Sequence, residues 1–381
     1  MIDLPQRTPR AVLPPKNAPT LRLNTIAPYY TMFPLDFPFA VLARLPADTR
    51  VLDPFCGRGT TLFAARLLGM PALGIDASPV AVAIAAAKLV DVTPAAIVEE
   101  CARILKDEPA PVEVPTGAFW QMCYHPATLR EICTLREALR RLAPTPVRTA
   151  LRAVMLGILH GPLVGRRPSY LSNQMPRTYA TKPAAAVRFW TRRGLTEPPR
   201  VDTLELVTRR ARFSFQELPP PVEGRVVRGD SRELIRDLAG YGFGAVVTSP
   251  PYAGMNTYIS DQWLRDWFLG GPADVNYDRA GQLGRCSLEC FVNDLAVVWR
   301  DTAAAVRPGA LLAVRFGSLP SRKGDPRELL ERSLILSGRP WRVLGIECAG
   351  SARGGRRQAN QFAPTMPSPR DEFDLYAVLE G

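Results

Sequence analysis

Val51–Leu62, VLDPFCGRGTTL, decides the reading of this chain. Val51 and Leu52 read as the end of a buried strand, with Asp53 where that strand emerges. Gly57 and Gly59 follow in a tight turn, and Thr60 and Thr61 open a helix. Strand, glycine turn and helix together bring backbone close to a ligand at the carboxyl edge of a sheet. No Gly-Lys-Ser/Thr follows, so this is not a phosphate-cradling loop of the Walker type. The dinucleotide fingerprint is also incomplete. A carboxylate at Asp53 repels a pyrophosphate and attracts an ammonium group. Ala72–Asp76, ALGID, reads as the next strand, and its terminal acid can accept both hydroxyls of a ribose. Two acids at neighbouring strand ends therefore point to a nucleoside that carries a positive charge.

DPFCGRGTT followed by GID resembles the S-adenosylmethionine site of amino-methylating DNA methyltransferases. Thr248–Tyr252, TSPPY, resembles the catalytic motif of the N4-cytosine branch; the N6-adenine branch more often has Asp at the position of Ser249. The resemblance covers roughly residues 26–90 and 224–345. It implies a Rossmann-like methyltransferase fold, a mostly parallel doubly wound sheet. In the loop it implies cofactor contacts from Asp53, Pro54, Phe55, Gly57, Gly59, Thr60 and Thr61. At the second strand end it implies Asp76, Ala77 and Ser78. A segment ahead of the loop covers the methionine end of the cofactor in that family, which here implies Phe33, Asp36, Phe37 and Pro38. The family often has an acid near the adenine ring after the third strand; Asp230 is the counterpart, with Ser231 starting the next helix. Asp230 also suits a simple helix N-cap.

By the same resemblance, the Ser249 side chain and the Pro250 carbonyl engage an exocyclic amine. Pro251 keeps the turn extended, and Tyr252 stacks on an extruded base. Base flipping is required because the amine of a paired base is out of reach. Ring-carbon methylation of cytosine uses a Cys in a Pro-Cys dipeptide, and this chain has no Pro-Cys. N6-adenine transfer, RNA amino-methylation and an inactive DNA-binding protein on the same fold remain as alternatives. The last is disfavoured because Asp53, Gly57, Gly59, Asp76 and all of SPPY are present.

The 381 residues suffice for a catalytic domain with a large insertion. Net charge is +12, and Arg outnumbers Lys by 43 to 5. A basic balance favours a polyanionic partner, and Arg suits bidentate phosphate and base contacts, although an excess of Arg over Lys equally follows from genome composition; double-stranded DNA is the partner that the resemblance implies. The resemblance leaves open a cognate restriction endonuclease as a further partner and leaves the oligomeric state undetermined. The seven Cys are odd in number and scattered, which predicts reduced thiols in a cytoplasmic protein. Cys286 and Cys290 lack a second pair or nearby His, so no metal is expected. No apolar stretch reaches the length of a membrane span.

Residues 1–25, rich in Pro, Arg and Thr, read as a basic extended arm. Residues 26–115 read as the first part of the catalytic domain, and residues 224–381 as its second part. Between them, residues 120–215 read as a helical, basic insertion that is nominated for target recognition. Pro126–Leu142 and Val147–Leu159 carry helical periodicity. Arg166–Lys182 reads as a polar loop whose Arg166, Arg167, Tyr170, Asn173, Gln174, Arg177, Tyr179 and Lys182 suit DNA contacts. Beyond the SPPY turn, Asn256 and Tyr258 are expected near a base pocket, together with Gln262 and Trp263. Trp263, Trp267 and Phe268 also suit a packed aromatic cluster. Trp341–Glu347 and Phe373–Val378 read as a terminal antiparallel strand pair. The loop between them, with Arg353, Arg356 and Arg357, is expected to follow DNA.

Overall fold

The computed structural model describes residues 8–29, 34–161, 168–173, 182–251, 258–275, 287–317, 324–350 and 372–381. Seven strands form one sheet: β1 Val51–Asp53, β2 Ala72–Asp76, β3 Gly224–Arg228, β4 Phe243–Thr248, β5 Val306–Gly317, β6 Trp341–Gly350 and β7 Glu372–Leu379. Their spatial order is β3-β2-β1-β4-β5-β7-β6. Pairs from β3 through β5 are parallel, while β7 runs antiparallel between β5 and β6. This is the Rossmann-like methyltransferase sheet, reached from strand order and direction alone. The order reverses beside β1, so β1 and β4 diverge at the crevice where open α/β sheets bind ligands.

The helices are α1 Asp36–Leu42, α2 Thr60–Leu67, α3 Pro79–Ala87, α4 Pro94–Asp107, α5 Ala118–Cys123, α6 Pro126–Arg141 and α7 Pro146–Ile158. They continue as α8 Pro183–Arg192, α9 Thr203–Phe215, α10 Ser231–Leu234, α11 Tyr258–Phe268, α12 Leu288–Ala305 and α13 Pro326–Leu336. Strand residues alternate between two apolar faces, as a sheet covered on both sides requires. Leu52, Val246, Leu312 and Val314 pack with α12 and α13. Val51, Ala245, Val247, Leu311 and Ala313 pack with α1 and α2.

Helices α4 to α9 lie in the chain between β2 and β3. Their buried faces join one cluster with Phe63 of α2, Val80, Ala81 and Ile84 of α3, and Trp263 and Trp267 of α11. The helices thus form a further layer stacked on the sheet-covering helices. The chain near the N-terminus also belongs to this layer. Residues 19–25, expected within an extended arm, form a 3-10 helix that buries Leu21 and Leu23. Arg10 is pinned as well, donating to the carbonyls of Leu45 and Leu68 at 3.0 Å each. Among the described residues, no helix is long and apolar enough to cross a membrane.

Candidate active site

Asp53 ends β1 with no exposed surface. Its Oδ1 accepts a bond from the Phe55 amide at 3.1 Å and from the Thr248 hydroxyl at 2.6 Å. Its Oδ2 is buried without a hydrogen-bond partner. Burial pushes the carboxyl up to about 7, against the lowering effect of the Thr248 bond. Thr248 is the last residue of β4 and immediately precedes Ser249. The Thr61 hydroxyl donates to the Val247 carbonyl at 3.1 Å. Two bonds therefore fasten the end of β1 and the start of α2 to the end of β4, the strand that leads into Ser249, although these segments are far apart in the chain.

The glycine turn is held from β2. Asp76 accepts the Gly57 amide at 2.9 Å through Oδ2 and the Ser78 amide at 2.8 Å through Oδ1. Desolvation of this part-buried carboxyl still pushes it up to about 6. Each oxygen keeps a lone pair, so Asp76 can shape the turn and also accept ribose hydroxyls. Gly57 and Gly59 have φ of +50° and +75°, in the left-handed region. At Gly59 a Cβ would lie 2.7 Å from the Ala85 Cβ, so the turn sits directly against α3. Ser78 caps α3 by accepting the Ala81 amide at 3.3 Å.

The end of β3 closes the other side. Gly229 donates to the Asp76 carbonyl at 3.0 Å, and the Ser231 hydroxyl donates to the Pro54 carbonyl. Asp230 caps α10 by accepting the Arg232 amide at 2.9 Å. It also holds the Arg232 guanidinium at 2.6 Å, and Arg232 reaches on to Asp294 of α12 at 2.8 Å. Burial raises the Asp230 carboxyl, but the Arg232 bonds outweigh it and the net shift is downward. Asp230 is therefore a committed cap and ion-pair partner, and any adenine contact shares it with Arg232.

No family model matches this sequence, and no curated protein matches it. Among solved structures it is similar to a SAM-dependent methyltransferase from Methanosarcina mazei, at 10% identity and TM-score 0.33, over 92% of this chain and 98% of that one. It is also similar to the rRNA methyltransferase aviRa from Streptomyces viridochromogenes, at 17% identity and TM-score 0.36, over 95% and 94% of the two chains. A 16S rRNA (adenine(1408)-N(1))-methyltransferase from Catenulisporales acidiphilia, solved with SAM, aligns at 12% identity and TM-score 0.34, over 92% and 93%. These likenesses are low in both measures, and the fold assignment rests on the strand order instead.

Other expected site residues divide between the ligand edge and the protein interior. Thr60 and Pro54 are buried, and Ala77 is exposed beside Asp76. Phe55 turns into the core, where its ring meets Trp299 edge-on at 6.4 Å. Phe37 and Pro38 are buried in α1, and the Arg315 guanidinium lies 4.1 Å over the Phe37 ring. Arg315 in turn grips Asp374 through two bonds of 2.7 Å. Phe37 is thus a packing residue that ties α1 to β5 and β7. Asp36 is exposed and accepts the Phe37 amide at 2.9 Å. Ser249 and Pro251 are half-buried and Pro250 is buried at the end of β4.

The DNA-contact expectations fare differently. Asn173 is buried, and its Nδ2 donates to the carbonyls of Met122 and Leu195 at 2.9 and 2.8 Å. With both amide hydrogens used internally, Asn173 fastens its segment to α5 and does not read bases. The ring of Tyr170 packs over Gly161, with Arg210 6.0 Å from its centroid. Lys182 is exposed at the start of α8. Tyr258 begins α11. Phe33, Arg166, Arg167, Gln174, Arg177, Tyr179, Tyr252, Asn256, Arg353, Arg356, Arg357 and Cys286 lie outside the described residues.

Several interior polar side chains were given no role in the sequence reading. Thr248 is the most consequential, because its bond to Asp53 depends on strand register and not on local sequence. His160 is buried, with Nδ1 2.7 Å from the Ser172 hydroxyl, and desolvation takes it down to about 3. Arg265 of α11 is buried beneath it and donates to the carbonyls of Leu156 and His160 at 2.9 and 3.2 Å.

Proposed function

We propose that this chain transfers a methyl group from S-adenosylmethionine to the exocyclic N4 amine of an extruded cytosine in duplex DNA. The observation that carries the proposal is the Thr248–Asp53 bond of 2.6 Å, which joins the residue immediately ahead of Ser249 to the acid that would hold the cofactor. The fit to the cofactor rests on the orphaned Oδ2 of Asp53, a buried acceptor without a donor. An ammonium group supplies that donor and favours the ionised carboxylate. Asp76 beside it accepts hydroxyls at the ribose end. The remaining loop residues exclude water and bring backbone close to the ligand.

When bound, S-adenosylmethionine supplies an electrophilic methyl group on a sulfonium sulfur. The chain supplies placement more than acid–base power. Ser249 and the Pro250 carbonyl hold the amine so that its lone pair points along the line of attack. Ser249 and Pro250 would keep the amine on that line while its nitrogen gains the methyl group. The amine then loses one proton to solvent, directly or across the Ser249 hydroxyl. Cytosine is favoured over adenine by Ser249, on the resemblance of TSPPY to the N4 branch.

Nucleoside digestion of DNA treated with the pure chain, followed by mass spectrometry, tests this. N4-methylcytosine is the expected product. N6-methyladenine would replace the base assignment and leave the mechanism standing, whereas 5-methylcytosine would overturn both. Ser249→Ala should lower methyl transfer far more than it lowers duplex affinity, because the lost bond strengthens as the amine becomes tetrahedral.

A further inference from the structure

A cavity of about 400 Å³ lies where α3, α6, α7 and the ends of β3 and α11 meet. Its walls carry Arg140 of α6, Thr149 and Arg152 of α7, and Arg228, the last residue of β3. Val82 and Ala83 of α3 form an apolar floor. Arg140 and Arg228 are exposed, and among the described residues neither side chain has a hydrogen bond or an ion-pair contact. Arg228 acts on Asp266 only through space. Arg140 adds its like charge to that felt by Arg136. Arg152 is part-buried and donates to the Leu139 carbonyl, which fixes it in the wall. Three guanidiniums around one cavity, without a carboxylate closing on the two exposed ones, form an anion site.

Position selects the anion. Arg228 pairs in register with Asp76 on the neighbouring strand, and Pro79, at the start of α3, also lines the cavity. The cavity therefore borders the ribose end of the cofactor edge. A strand whose base is extruded there has to be held by its backbone nearby. An isolated inorganic anion leaves most of this volume empty, whereas a phosphodiester brings a sugar that can lie on the apolar floor.

We infer that the groove lined by Arg140, Arg152 and Arg228 grips a backbone phosphate of the substrate DNA strand beside the cofactor edge. The inference rests on the duplex-DNA reading of the active site. Arg140→Gln, Arg228→Gln and the double variant test it by fluorescence anisotropy on a labelled duplex across a potassium chloride series. Calorimetric titration with S-adenosylmethionine checks that each variant stays folded. Each single change should weaken duplex binding roughly tenfold at low salt, the scale of one lost charged bond. The slope of log affinity against log salt should fall by about 0.9 per contact, equally for any sequence. Unchanged affinity and slope, in a preparation whose wild type methylates the duplex, would sink this inference alone. A wild type that neither binds nor methylates duplex DNA would remove the active-site reading and this one with it. Release of the duplex by micromolar cytidine 5′-monophosphate, through the same arginines, would make the groove a mononucleotide pocket and overturn the strand assignment.

Discussion

The carboxyl of Asp53 is subject to opposed demands. The fold buries it completely, yet a bound cation requires it ionised. Its folded value of about 7 lies above the ordinary 3.8. Between those values the folded chain keeps a proton that the unfolded chain has lost. The contribution of Asp53 to stability is therefore present at low pH and declines as pH rises toward 7. Asp76, at about 6, acts with the same sign over a narrower window. His160 has the opposite sign: its folded value of about 3 lies below 6.5, so its stabilisation is present above pH 6.5 and is lost as pH falls. Single variants separate these terms. Asp53→Asn should raise the melting temperature most at pH 8, with the gain fading toward pH 4, because the amide carries no charge to desolvate. The same variant should lose ~1.5–3 kcal/mol of S-adenosylmethionine affinity, the scale of a charged hydrogen bond. Scanning calorimetry from pH 4 to 8 and isothermal titration read the two effects. A variant that binds as the wild type does, with an unaltered pH profile, would remove Asp53 from the cofactor site.

The glycine turn shows how one element can be strained in two ways. Gly57 and Gly59 both adopt positive φ, but only Gly59 lacks room for a side chain: Ala85 stands 2.7 Å from a Cβ there, against 4.0 Å to Tyr29 at Gly57. Gly57→Ala should therefore cost only the left-handed backbone, ~1–2 kcal/mol. Gly59→Ala should cost that plus ~1–3 kcal/mol of overpacking as α3 is pushed away, with a larger fall in cofactor affinity. Urea melts and calorimetric titration of the two variants make the comparison; equal losses would mean that contact with α3 does not position the turn. This turn was legible because its information is local, and the runs VLD, ALGID and FGAVVT were legible because strands covered on both faces are continuously apolar. Pro19–Thr25 was not legible, since a Pro- and Arg-bearing stretch looks solvated until Leu21 and Leu23 find their partners. The roles of Asn173 and Thr248 were hidden for a related reason. Whether an amide reads a base or satisfies a carbonyl, and whether a Thr meets an Asp on the next strand, depends on partners remote in the chain.

At the scale of the whole molecule, the helical layer must be joined to the sheet at the two places where the chain leaves and returns. Both places converge on Arg66 of α2, whose side chain is fully buried. Its Nη1 donates to the carbonyls of Lys88 and Val90 at 2.8 and 2.7 Å, where the chain departs from α3. Its Nη2 donates to the Pro219 carbonyl at 2.9 Å, and its Nε reaches the Pro220 carbonyl at 3.2 Å, just before β3. One planar guanidinium thus satisfies the backbone of both crossings, which Lys cannot do with a single ammonium. The layer and the sheet-covering helices also share one apolar cluster, so neither can loosen without exposing the other. Arg66→Met keeps the length of the side chain and removes every donor. The carbonyls of Lys88 and Pro219 would then be buried without partners, while those of Val90 and Pro220 lie closer to water. Stability should fall by ~2–5 kcal/mol, since each of the two buried carbonyls left without a donor costs ~1–3 kcal/mol. Arg66→Lys should fall by less, because one or two of the carbonyls stay satisfied. Urea unfolding followed by both far-ultraviolet dichroism and tryptophan fluorescence measures this. The two probes should move together to lower urea, since Trp120, Trp190, Trp263 and Trp267 all belong to the shared cluster. A fluorescence transition that moves alone would mean that the layer unfolds independently and that Arg66 holds only the crossings. A shift of less than ~0.5 kcal/mol in both, the range of an ordinary surface change, would mean that the four bonds contribute nothing to holding the layer on the sheet.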